Sequence, residues 1–158
     1  MNRIVIDRSD FYCPSGNIFI GDTIFGNVTV PVVRGLWKVK LTSLSENIFI
    51  IYHCDYSDYD IIHDEQIFER ECYIVECYSG NILVFDQEEF KNNMMTIYDR
   101  GPEYYLQSAE DVRGTFFFCG NDRSGITYYY PVSVVLNVDY KAVVIKIELK
   151  PCIPLPIF

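Results

Sequence analysis

The chain of 158 residues is poor in the residues that most often carry chemistry. It has two histidines, His53 and His63, one tryptophan and three methionines. It lacks a Gly-x-x-x-x-Gly-Lys phosphate loop, a His-Glu-x-x-His zinc helix and a Gly-x-Ser-x-Gly elbow, so the common motif-bearing hydrolases and nucleotide enzymes gain no support. No hydrophobic run reaches the length of a bilayer-spanning helix. The opening Met1-Asn-Arg-Ile-Val-Ile-Asp-Arg8 has neither a long apolar core nor a small-residue cleavage site, and a cytoplasmic protein is expected. On that expectation the six cysteines are reduced thiols rather than a disulfide framework.

Positive charge is missing from one stretch in particular. Residues 55–90 hold eleven Asp and Glu against the single base Arg70, while the remainder of the chain is close to neutral. The net charge of −9 is therefore concentrated in one quarter of the sequence. Nucleic acids and anionic membrane surfaces need a basic footprint, so neither is expected as a direct partner.

What the chain has in abundance is strand-forming residues. Aromatics make up 16 %, with 13 Tyr and 11 Phe, and together with Ile and Val they suit a pleated, half-buried surface. The chain also repeats itself. Cys13-Pro-Ser-Gly-Asn-Ile-Phe-Ile-Gly-Asp22 returns 64 positions later as Cys77-Tyr-Ser-Gly-Asn-Ile-Leu-Val-Phe-Asp86, with six of ten positions identical. A second echo, Val33-Arg-Gly-Leu-Trp37 and Val112-Arg-Gly-Thr-Phe116, follows in the same order. Repeats of this kind point to architecture. The expected fold is mainly β, a β-sandwich or partly open barrel built from a duplicated β unit, with one or two short helices. A single domain is expected, with repeats at about 13–56 and 77–149 and a Pro-rich tail at 151–158 that packs along it.

Local signals place the elements. Arg3–Asp7, Ile18–Ile20, Asn27–Val33, Leu36–Leu41, Ile48–Tyr52, Glu71–Cys77, Ile82–Phe85, Thr115–Cys119, Ile126–Tyr130, Val132–Leu136 and Ala142–Leu149 read as strands. Ile48–Tyr52 is apolar on both faces and reads as central; Pro31 belongs on an edge or at a bulge. Asp86 followed by Glu89 marks a helix start, Phe90, Met94 and Ile97 fall at helical spacing, and Gly101-Pro102 stops it, giving a helix near 87–97. Ser108–Asp111 starts one further short turn.

Three chemical readings compete around the acidic stretch. His53, His63, Cys72 and Cys77 could be drawn as a zinc site, but Cys-x-x-Cys spacing is absent. Asp55-Tyr-Ser-Asp-Tyr-Asp60 offers calcium ligands but lacks the central glycine of an EF-hand loop. No metal or cofactor is therefore expected. His53 and Cys54 beside carboxylates could serve a small hydrolase or a ligand-binding β-barrel, with the runs Phe116–Phe118 and Tyr128–Tyr130 lining a cavity. The favoured reading is a non-catalytic module that docks a basic protein partner, such as a nucleic-acid-acting enzyme or toxin, in the manner of an inhibitor or immunity protein. Its docking residues are Asp55, Tyr56, Asp58, Tyr59, Asp60, Asp64 and Glu65, where tyrosines interleave with carboxylates. On an extended chain Asp58 and Asp60 would share a face at roughly 6.6 Å, near the phosphate spacing of a nucleic-acid strand. A structural or accessory protein of a virus is a further alternative, with the acidic run as plain wet surface.

Overall fold

The computed structural model describes residues 5–6, 10–22, 28–41, 48–56, 68–77, 81–101, 105, 112–118 and 128–148. These form two antiparallel sheets and one helix. In chain order the elements are β1 (Val5–Ile6), β2 (Asp10–Cys13), β3 (Asn17–Gly21), β4 (Val28–Pro31), β5 (Gly35–Leu41) and β6 (Ile48–His53). They continue with β7 (Phe68–Cys77), β8 (Asn81–Asp86), helix α1 (Gln87–Arg100), β9 (Gly114–Phe118), β10 (Tyr128–Leu136) and β11 (Ala142–Glu148). The first sheet runs β1-β9-β8-β3-β4 and the second β2-β5-β6-β11-β10-β7. Two separate sheets make a sandwich, so the open-barrel alternative is set aside.

Side-chain alternation decides what each strand buries. Ile18 and Ile20 of β3, and Ile82 and Val84 of β8, point into the space between the sheets, where they meet Trp37, Phe49, Ile51, Val132, Val134 and Ile145. The intervening Phe19, Leu83 and Phe85 point the other way, under α1. Phe19 stacks on Phe90 of the helix with ring centroids 3.8 Å apart. The helix thus seals the outer face of the first sheet, and β3 and β8 are buried on both sides. Burying one such aromatic ring is worth about 2–3 kcal/mol. Met94 does not share this role; it stays 36 % exposed while Phe90 and Ile97 form the contact.

The helix begins where its sequence signals place it and runs slightly longer than expected, to Arg100. Asp86 is its N-cap, with Oδ2 accepting from the Glu89 amide at 3.2 Å. Glu89 does not close a capping box. Its carboxylate instead accepts from the hydroxyl of Tyr105 and the side-chain amide of Asn93, and lies 3.6 Å from Arg113. Gly101, at φ 87°, ends the helix by donating its N–H to Ile97.

The pattern-bearing strands fall where expected. β6 is central between β5 and β11, β4 with Pro31 is an edge, and β5 with β6 and β10 with β11 are hairpins. Two expectations change. Asp10–Cys13, too short to signal itself, is a strand paired with β5. Ile126–Tyr130 and Val132–Leu136 are not separate strands, because β10 runs unbroken through Pro131. The proline is tolerated because β11 pairs only from Val132 onward, which leaves β10 an edge at that point.

Each sheet reads alike from its middle outward: β3-β4 against β8-β9 in one, β6-β5-β2 against β11-β10-β7 in the other. At the first centre Ile20 lies opposite Val84, its counterpart 64 positions on. The second echo behaves differently, since Gly35 opens β5 in one sheet and Gly114 opens β9 in the other. Residues 78–80 of the second Ser-Gly-Asn turn, Ser108–Asp111 and the tail 151–158 lie outside the described residues.

Candidate functional site at the end of β6

Antiparallel pairing gathers several chain segments at one end of the second sheet. The end of β6, the start of β5, the β10–β11 turn and the start of β7 are level with one another, as the pairs Trp37↔His53, Val144↔Tyr52, Val135↔Val144 and Leu136↔Phe68 require. The residues on either side of the stretch 57–67, Tyr56 and Phe68, therefore lie at this end.

His53 is the structural centre of this end. It is 3 % exposed, with its imidazole edge-on to Trp37 and to Tyr56, each at a centroid distance of 5.9 Å. Nδ1 accepts from the Asp55 amide at 3.1 Å, which places the ring proton on Nε2, where it is donated to the Arg34 carbonyl at 2.7 Å. Gly35 makes room for that bond, because a Cβ there would stand 2.8 Å from Nε2. Cys54 extends the ladder through its amide to Leu36, and its exposed thiol lies 3.7 Å from Asp55 Oδ1. The thiol's hydrogen bond is to Asp55, and a ring nitrogen of His53 lies within 4.8 Å of it.

Beside it, Val32, Val33, Arg34, Asn137, Asp139 and Lys141 line an open groove of about 530 Å³. The turn on its far wall is held by Asn137, whose Oδ1 accepts from the amides of Asp139 and Lys141. Tyr140 sits in this turn at φ 59°, a left-handed conformation that glycine adopts at least cost. Tyr140 and Val138 are 61 % and 57 % exposed.

Of the docking residues expected from sequence, Asp55 is at this end with its carboxylate largely exposed. Tyr56 is there too but half-buried, packed on the outer-face cluster of Val135, Val143 and Val144. Asp58, Tyr59, Asp60, Asp64 and Glu65 lie outside the described residues, as does His63. The zinc set drawn from sequence is not assembled. Cys77 is wholly buried between the sheets at the far end of β7, nine residues and about 30 Å of strand from the level of His53. Of the aromatic runs, Phe116 and Tyr130 are core residues. The turn 137–141 carried no signal of function in the sequence beyond its turn chemistry. No described helix is long and apolar enough to cross a membrane. Scans against protein-family models, curated proteins and solved structures each return no match for this chain.

Proposed function

We propose that this chain is a non-catalytic protein-binding module that docks a basic partner through the acidic segment 55–65, acting in the cytoplasm as an inhibitor or immunity-type protein. One observation carries the reading. The residues on either side of the stretch 57–67, Tyr56 and Phe68, lie at the end of the sandwich that also exposes Tyr140 and Val138. Carboxylates beside exposed aromatic and aliphatic anchors are the chemistry of a charge-steered interface. The concentrated negative charge would raise the encounter rate with a basic surface, and the anchors would slow its departure. The two halves of the chain are, in the same proposal, copies of one β unit, which the Ile20–Val84 register supports.

The experiment compares the wild-type chain with a variant carrying Asn or Gln at Asp58, Asp60, Asp64 and Glu65, and with Tyr140→Ala. Each is used to capture partners at low and high salt. A basic protein held by the wild type, weakened by either substitution and released by salt, is the expected result. Equal retention by all three proteins would remove the docking surface.

A further inference from the structure

We propose that His53, Cys54 and Asp55 form a binding site for a borderline divalent cation of the zinc class. A ring nitrogen of His53, Sγ of Cys54 and a carboxylate oxygen of Asp55 all lie within 4.8 Å of one another. The closest approaches are 3.8 Å from Nδ1 to Asp55 Oδ2 and 3.7 Å from Sγ to Asp55 Oδ1. Bond lengths of about 2.0–2.3 Å in a tetrahedral zinc site put ligand atoms roughly 3.3–3.8 Å apart. Two of the three separations, each to a different oxygen of Asp55, are therefore already close to the coordinating value before any ion arrives.

A second observation concerns the imidazole alone. Its Nε2 proton is committed to the Arg34 carbonyl at 2.7 Å. That is the outer contact by which metal-bound histidines fix their tautomer and orientation, and it leaves Nδ1 as the ring nitrogen with the lone pair, here accepting from the Asp55 amide. Binding would replace the hydrogen bond from the Asp55 amide to Nδ1, and that amide belongs to an exposed residue that water can reach. The mixed nitrogen, sulfur and oxygen set suits zinc or cobalt and is too soft for calcium or magnesium. Three protein ligands leave a fourth position open to water or to a donor from a partner. The site shares Asp55 with the docking segment but requires neither residues 57–67 nor a basic protein.

Cobalt(II) chloride is the probe, added to the reduced full-length chain and to Cys54→Ser and Asp55→Asn. Both substituted residues are exposed, so the fold is expected to survive. The wild type should show a thiolate-to-cobalt charge-transfer band at one ion per chain and quenching of Trp37, the single tryptophan, whose ring lies 5.9 Å from His53. Cys54→Ser should abolish both signals, and Asp55→Asn should weaken binding about tenfold or more, with zinc competing the cobalt away. A missing band in the wild type would overturn the site. So would a band of equal strength in Cys54→Ser, which would assign the cobalt to another of the six cysteines. Unchanged affinity in Asp55→Asn would overturn the three-ligand set.

Discussion

The thiol of Cys13 donates to the carboxylate of Asp86 across 73 positions of sequence, at 3.3 Å and wholly inside the protein. The same oxygen, Oδ1, accepts from the Ser15 amide at 2.9 Å, while Oδ2 caps α1. One carboxylate thus ties the first turn to the start of the helix. Asp86→Ala would remove the cap, take the acceptor from the Ser15 amide and leave the Cys13 thiol only the Asn17 carbonyl, and is expected to cost about 2–4 kcal/mol. Urea unfolding of the variant beside the wild type measures it. A loss below about 1 kcal/mol would mean that the donors find other acceptors.

The Cys13 thiol is pushed up from 9.0 to about 12, first by burial and then by the charge and hydrogen bond of Asp86. The folded state holds this proton more tightly than the unfolded one. Its contribution to stability is complete below about pH 9 and is lost as the pH rises towards 12. Denaturation midpoints followed through that range should fall more steeply for the wild type than for Cys13→Ala. At neutral pH Cys13 should resist a thiol reagent until the chain unfolds, while the exposed Cys54 reacts at once.

Tyr140 provides a test in which stability and binding move in opposite directions. Its left-handed conformation costs about 1–2 kcal/mol, and glycine would relieve it at a backbone-entropy cost of about 0.5–1 kcal/mol. Tyr140→Gly should therefore stabilise the fold by up to about 1 kcal/mol. Under the docking proposal the same change should weaken partner binding, as calorimetry with the captured partner would read. A destabilised variant would show that the ring contributes to packing.

Two glycines should not accept even a methyl group. A Cβ at Gly114 would fall inside the buried ring of Phe85, its direct cross-strand neighbour. One at Gly35, where φ is 130°, would press on His53 Nε2. Each alanine variant is expected to lose about 2–3 kcal/mol, measured by thermal or denaturant unfolding. Gly35→Ala should in addition reduce any cobalt signal at His53, whereas Gly114→Ala should leave it intact.

Features set by neighbouring residues were legible in the sequence. Asp86, Glu89 and Gly101 punctuate the helix locally, and the unbroken apolar run from Ile48 announces a strand in the middle of its sheet. Features set by distant neighbours were not. Pro131 reads as a break, and only the point at which β11 begins to pair shows why β10 continues through it. The shared Val-Arg-Gly sequence reads as a second repeat, yet Gly35 and Gly114 have in common a ring packed over the α-carbon rather than a place in the sheets. At the candidate site, His53, Cys54 and Asp55 were visible as neighbours. The lock on His53 was not, because it depends on the β5–β6 register bringing the Arg34 carbonyl to Nε2.

The mirrored strand order has a consequence for how the chain folds. The joins at β3–β8 and β6–β11 each take one strand from residues 10–53 and the other from residues 68–148. Either half alone would expose an unpaired backbone edge in both sheets, the condition that invites aggregation. Neither half can finish before the other arrives, so closure of the sandwich is one cooperative event dominated by contacts distant in sequence. Such chains fold slowly, and this one is most vulnerable during synthesis, when its first half waits for the second.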